Sequence, residues 1–403
     1  MSRIITYCSY QDIANVFTIV SGTRRSKMKN LSEYRSEFPV TNSYSFFNNA
    51  AISVPPLRVT KAVSDLMLQF SFEGLLQYPE WMKTVARTRS LFAQLINADP
   101  AEICFTANTS EALSIVAGGI SWKPGDKVIV PVPDFPSNVY PWVNLERSGV
   151  QISFLQKNKG RFGIPDIEAV LHPRTRLITV SSTDFTTGFR CDLEEVGDFC
   201  RKKGILLCVD AIQSLGAVPL DVRSCGAHFL ACGGHKWLLA TMGIGVLYVS
   251  REANHLLHPV RVGWRSVENE ENFYNLELKL KTDARRFEAG TLNLAGITAL
   301  GTSLDMLLEI GIERIFERIS GLNDIICSEL RRRDFQVISP TEPVHRSGIL
   351  SFVPEDAERL FRYLLKKKVL AAQRGNVLRL STHFYNNESD IERLFAALDG
   401  YSA

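Results

Sequence analysis

Three short stretches of this sequence place reactive groups directly after apolar runs. In Cys232-Gly233-Gly234-His235-Lys236-Trp237 a lysine follows two glycines and a histidine. Burial at such a strand end lowers a lysine's pKa and frees a neutral, nucleophilic amine; a lysine whose stem lies along apolar surface is the other reading. In Val209-Asp210-Ala211-Ile212-Gln213-Ser214 a carboxylate closes an apolar run. That is unfavourable unless it meets a cation or several donors, although an Asx-type turn would also place it there. In Thr106-Ala107-Asn108-Thr109-Ser110-Glu111-Ala112 two hydroxyls stand where a helical segment begins. Free N–H groups and the helix dipole make such a turn an anion site, or else Thr109 or Ser110 simply caps its own helix. No G-x-G-x-x-G follows the first strand, and neither a P-loop nor a G-x-S-x-G elbow occurs.

The elements that must position these groups are legible from about residue 100. Apolar runs of strand length fall at 103–106, 127–131, 151–155, 176–180, 205–209, 228–231 and 245–249. Helical segments fall between most of them, at 110–120, 137–147, 165–171 and 192–203, the last opening on Asp192 with Glu195 three residues on, in the manner of a capping box. Alternation of this kind predicts right-handed βαβ units and a mostly parallel, buried sheet. The runs at 228 and 245 are too close for a crossover helix, so at least one strand there should be antiparallel. Ligands of such sheets bind at the carboxyl ends of the strands, where the three stretches lie. A second block follows. Leu304, Leu307, Leu308, Ile312, Ile315, Phe316, Ile319, Leu322, Ile326 and Leu330 recur at helical spacing, which predicts one long amphipathic helix or two. Short strands near 335–339, 348–353 and 377–381, with helices near 355–367 and 388–398, read as a smaller α+β lobe. Residues 1–45 read as a loosely ordered arm, 46–292 as the large domain and 293–403 as the small C-terminal domain.

Composition narrows the function classes. The chain of 403 residues is 45% hydrophobic and 22% charged, an ordinary globular profile. A net charge of +3 is too balanced to argue for nucleic acid or an anionic membrane as partner. The eight cysteines include no C-x-x-C pair, and no apolar run approaches a membrane span. Free thiols in a reducing, cytoplasmic setting and no metal site are the expectation.

An amine that condenses with an aldehyde, a carboxylate beside a cationic ring nitrogen and an anchored phosphate together meet the requirements of pyridoxal 5'-phosphate (PLP). The chain resembles the class V aminotransferases of PLP fold type I, the group that includes cysteine desulfurases, kynureninases and isopenicillin-N-epimerase-like proteins. The resemblance runs from about residue 36 to 397. It is carried by Asn48-Asn49-Ala50-Ala51-Ile52-Ser53, Asp134-Phe135-Pro136-Ser137-Asn138, Val209 to Gln213, Gly234 to Trp237, Gly243 to Tyr248, Arg286-Phe287-Glu288-Ala289-Gly290-Thr291 and Leu378-Arg379-Leu380-Ser381. It implies an α/β fold, with a large domain whose mostly parallel seven-stranded sheet lies between helices and a smaller C-terminal α+β domain. It also implies that Lys236 carries the cofactor, that Asp210 keeps the pyridine nitrogen protonated and that Gln213 reaches the ring's phenolic oxygen. Thr109 and Ser110 would hold the phosphate with His235 nearby, and Phe135 would stack on the ring. Thr291 would reach the phosphate of a neighbouring subunit, which implies a homodimer with shared sites. Arg379 would grip the substrate α-carboxylate through its planar fork, with Asn49, Arg374 and Trp264 as further pocket candidates.

The departures bear on the reaction. Desulfurases of this class carry a nucleophilic cysteine shortly before the carboxylate-binding arginine, whereas this chain has Ala371-Ala372-Gln373-Arg374-Gly375-Asn376. Gly233 stands where those enzymes have a serine beside the phosphate, Phe185 stands where many relatives place an asparagine, and Ala240-Thr241-Met242 replace a usual Gly-Pro-Pro. The expectation is a PLP enzyme acting on the amino group or α-carbon of an amino acid, first as an aminotransferase, which needs no extra catalytic group. A carbon–sulfur lyase, desulfurase-like enzyme or epimerase is the alternative, and a non-catalytic PLP-binding protein a further one.

Overall fold

The computed structural model describes residues 30–401. The expected arm therefore lies largely outside the described residues, but its end does not behave as one. Residues 31–42 form two 3-10 turns that bury Tyr34 and Phe38, and both terminal nitrogens of Arg35 bond the Asp390 carboxylate. The chain continues as strand β1 (Ser45–Phe46) and the helices α1 (Leu57–Glu73) and α2 (Tyr78–Leu95).

Then comes the alternation: β2 (Ile103–Thr106), α3 (Thr109–Gly119), β3 (Lys127–Val132), α4 (Tyr140–Val143), β4 (Gln151–Gln156), α5 (Ile164–Val170), β5 (Thr175–Ser181), α6 (Leu193–Lys203), β6 (Leu206–Asp210), β7 (Phe229–Gly233) and β8 (Gly245–Val249). These strands form a seven-stranded sheet in the order β2-β8-β7-β6-β5-β3-β4. Its apolar side chains alternate between two cores: Ile103, Phe105 and Ile129 face one, and Cys104, Val128 and Val130 the other. That is why the runs read as continuously hydrophobic. β8 is antiparallel to both β7 and β2, as the short 234–244 connection requires. The helix expected over 137–147 is instead a one-turn α4 between two 3-10 turns, because Pro136 and Pro141 each remove a backbone donor. Asp192 caps α6 by accepting from the Glu195 N–H at 3.0 Å.

The second block is two helices, α7 (Leu294–Ile310) and α8 (Ile312–Arg332), bent by 77° at Gly311, whose φ of +89° suits a residue without a Cβ. α1 and α2 pack on α7. Beyond lie β9 (Gln336–Val337), β10 (Ile349–Val353), α9 (Ala357–Lys366), β11 (Val369–Leu370), β12 (Ala372–Arg374), β13 (Val377–Ser381) and α10 (Glu388–Asp399). Four of these strands make an antiparallel sheet, β12-β13-β10-β9, over a core of its own. β11 pairs in parallel with β1, and Asn48 bridges to Ser381. Among the described residues no single helix is long and apolar enough to cross a membrane.

Candidate active site

β2, β3, β5, β6 and β7 end at one edge of the large sheet, and the turns after them supply the site. Lys236 follows β7 and is buried, with 7% of its surface exposed. Its Nζ lies 5.4 Å from the centroid of the Phe135 ring, which the turn after β3 presents. Asp210 ends β6, is 2% exposed and accepts from the Ile212 N–H at 3.0 Å. Burial pushes the Asp210 carboxyl up, and the charge of Asp134 adds to this, while the Ile212 N–H and Lys236 oppose it. Burial likewise pushes Lys236 down, against the pull of Asp210 and with the push of Arg379. The two groups therefore share one electrostatic environment in which each favours the other's charge.

The turn after β2 resolves the capping question. Asn108 is the N-cap of α3, taking the Glu111 N–H at 2.9 Å, so neither Thr109 nor Ser110 is needed for that task. Thr109 is 4% exposed, and its Oγ1 is buried without a hydrogen-bond partner. Ser110 is exposed and shares a 2.7 Å hydrogen bond with Ser137 of the Phe135 turn. Gly245 explains how the turn comes so close: it pairs with both Thr106 and Gly233, and a Cβ there would stand 2.8 Å from Thr106 Oγ1. A Cβ on Gly233 would meet Thr109 Oγ1 and the His235 ring, each at 3.2 Å, so these groups enclose one small cradle. Burial, then the charge of Lys236, pushes His235 down, towards the neutral imidazole.

Gln213 is buried with its amide fixed at both ends, donating to the Ala50 carbonyl and accepting from the Trp237 indole, each at 3.0 Å.

Arg379 comes from the other sheet, on β13, and is 1% exposed. Nη1 donates to the Phe185 carbonyl at 2.6 Å. Nε and Nη2 are buried with no partner among the described residues, and they form the side of the guanidinium that matches a carboxylate. Burial, reinforced by Arg374, pushes Arg379 down to about 9, which leaves it charged at neutral pH. Phe185 packs edge-on against Phe135 with 5.6 Å between centroids.

The remaining candidates sit differently. Arg374 is on β12, its Nη1 on the Gln373 carbonyl at 2.8 Å, and its charge acts on both Lys236 and Arg379. The Asn49 amide is engaged on both sides: it donates to the Ser381 carbonyl at 2.8 Å and accepts from Ser53 at 2.6 Å and Tyr385 at 2.8 Å. Trp264 packs against Phe273 and Arg265. Thr291 is exposed, just ahead of Asn293, which donates to the Gly243 carbonyl at 2.8 Å.

An orphaned hydroxyl at a helix N-terminus, a buried amine facing an aromatic ring, a buried carboxylate and an orphaned guanidinium fork fit PLP with an amino acid beside it. Fold and site together define a PLP enzyme of fold type I. The model of the family Aminotransferase class-V matches residues 45–394, so the chain belongs to that family. A protein of Methanothermobacter thermautotrophicus named "Probable cysteine desulfurase" is 31% identical over 394 residues, covering 91% of this chain and 97% of that one. The apo structure of a cysteine desulfurase from Thermococcus onnurineus NA1 superposes with a TM-score of 0.85 at 26% identity, over 93% of this chain and 98% of its own. The cystine C–S lyase C-DES, solved with its product cysteine persulfide, shares the fold at a TM-score of 0.85 and 22% identity, over 91% of this chain and all (100%) of its own.

Proposed function

We propose that this enzyme cleaves a carbon–sulfur bond of a β-thio amino acid by elimination, without a sulfur-carrying thiol of its own. The kinship with proteins named cysteine desulfurase supports the sulfur chemistry. One observation carries the second half of the reading: the stretch before Arg379 has no cysteine, and among the described residues every cysteine, Cys104, Cys191, Cys200, Cys208, Cys225, Cys232 and Cys327, is buried, Cys8 lying outside them. A thiolate must be accessible to take up sulfur.

When bound, the cofactor supplies an aldehyde that holds the substrate nitrogen and a cationic ring that accepts the electron pair left at the α-carbon. The chain does the rest. Arg379 offers Nε and Nη2 to the α-carboxylate and so fixes which bond faces Lys236. Lys236, held towards its neutral form by burial, would take the α-proton of a substrate beside the cofactor. Asp210, with its charge balanced against Lys236, keeps the ring nitrogen protonated. Thr109, the first N–H groups of α3 and His235 receive the phosphate, and Phe135 and Phe185 wall off water. The sulfur leaves with the bonding pair, as sulfide from cysteine or persulfide from cystine, and hydrolysis of the carbon fragment gives pyruvate and ammonia.

The test is to offer holoenzyme cysteine, cystine and alanine and to identify products. Sulfide or persulfide with equimolar pyruvate and ammonia is expected. Conversion of alanine to pyruvate at one equivalent, with the nitrogen retained on the cofactor and no sulfur release, would establish transamination instead. Borohydride reduction should fix the cofactor on Lys236. The exposed Thr291 and the apolar residues of α1 that face outward, among them Phe70 and Phe72, support a homodimer with shared sites, which sedimentation of the holoenzyme tests.

A further inference from the structure

Lys157, directly after β4, is buried beneath the site with 3% of its side chain exposed. Its Nζ donates to Asp184 Oδ2 at 2.7 Å and lies 3.8 Å from Asp134 Oδ1. Each aspartate immediately precedes one of the aromatic residues of the site, Asp134 before Phe135 and Asp184 before Phe185. Each also shapes its own loop. Asp134 takes the Phe135 N–H, Ser181 Oγ and Asn138 Nδ2 at 2.7, 2.8 and 3.1 Å. Asp184 takes the N–H groups of Thr186 and Thr187 and the Thr187 hydroxyl at 2.9, 2.8 and 3.1 Å.

Two loops that leave β3 and β5 are thus joined by a cation from β4. Without it, two buried carboxylates would face each other uncompensated, which drives such groups apart or protonates one of them. Downstream of the pair, Phe135 faces Lys236, and the Phe185 carbonyl holds Nη1 of Arg379.

We propose that Lys157 is a positioning residue. By bridging Asp134 and Asp184 it sets Phe135 and Phe185 as one aromatic wall and, through the Phe185 carbonyl, aims Arg379 at the substrate carboxylate. The inference rests on the reading of this site as one for PLP and an amino acid, and it holds whichever reaction follows.

The test compares wild type, Lys157→Met and the double variant Lys157→Met/Asp184→Asn, each reconstituted with PLP, with glycine as the amino-acid probe. The double variant removes a matched pair of charges and keeps the shape at 184, so it decides the matter if the single variant fails to fold. The expected result is retained PLP, a glycine dissociation constant raised about tenfold or more, and a visible circular dichroism band at no more than about half its wild-type size. A purely structural role would lower the melting temperature but leave both readouts of the folded holoenzyme unchanged. A double variant within twofold of wild type in glycine affinity, with an unchanged band, would overturn the proposal. Wild type that shows no visible band with PLP would instead overturn the underlying reading.

Discussion

Nε and Nη2 of Arg379 lie buried with no acceptor among the described residues, an arrangement that native proteins rarely leave without a reason. On the proposed reading a substrate carboxylate supplies both missing acceptors and a counter-charge. Arg379→Met should therefore weaken glycine binding by about 10–100-fold, the equivalent of roughly 1.5–3 kcal/mol for hydrogen bonds to a charged group. PLP affinity, read from the visible band, should stay within about threefold, because the cofactor's own contacts come from the other sheet. Lys236 gives a pH-dependent prediction. An ordinary lysine is protonated up to about pH 10.4, but burial pushes Lys236 down while Asp210 holds it up. The neutral amine is the form that attacks the aldehyde, so the rate of PLP capture by apoenzyme should rise with pH and level off well below pH 10. Asp210→Asn removes the carboxylate that favours the ammonium, so the midpoint should move lower still. A rate that keeps climbing through pH 10 in wild type would contradict this. Lys236 and Asp210 are legible in the sequence because a charged residue at the end of an apolar run already needs an explanation, whereas Arg379 is legible only through the resemblance carried by Leu378-Arg379-Leu380-Ser381. Lys157 is not: it follows a strand that exposes Gln151, Phe154 and Gln156 alike, and only the placement of two distant loops buries its side chain.

At the scale of elements, α3 is the informative one. Its cap is Asn108, so the buried Thr109 hydroxyl serves no helical purpose. Thr109→Val keeps the shape and removes an unsatisfied polar atom. Apoenzyme stability should hold or rise by up to about 1 kcal/mol, while the PLP dissociation constant rises by roughly tenfold or more as a charge-assisted bond to the phosphate is lost. Thermal melts with and without PLP measure both, and a parallel loss of apo stability would mean that Thr109 is structural. The sequence shows the sheet and its ligand edge because strands buried on both faces leave uninterrupted apolar runs. It does not show α1 and α2. Met67, Leu68, Phe70 and Phe72 on α1 are exposed in the chain and fill in the polar stripe by which an amphipathic helix is read. Nor does it show which of three neighbouring polar residues caps α3, since Asn, Thr and Ser all suit that position.

For the molecule as a whole, the proposed reaction requires Arg379 of the C-terminal sheet to meet Lys236 of the large one, and residues 45–53 make that junction. β1 pairs with β11, Asn48 bridges to Ser381, the Ala50 carbonyl accepts from Gln213, and the Ser53 N–H donates to the His235 carbonyl at 3.0 Å. β1 and β11 are two-residue strands more than 300 positions apart, so no local pattern announces their pairing, although the motif around Asn49 does. Asn49 is the knot of the segment. Asn49→Ala would strand the Ser53 and Tyr385 hydroxyls in a buried place and leave the Ser381 carbonyl only the long backbone bond from residue 49 at 3.5 Å. At about 1–3 kcal/mol for a buried polar group left unpaired, with partial relaxation among the three, the expected loss is roughly 2–4 kcal/mol in urea unfolding. Tyr385→Phe, which removes one of these bonds, should cost about 1 kcal/mol. Because the segment holds β13 against the large domain, the folded Asn49→Ala enzyme should lose glycine affinity by a larger factor than PLP affinity. If both affinities fell equally, or stability did not change, the segment would be a passenger and the alignment of Arg379 with Lys236 would depend on α7 and α8 instead.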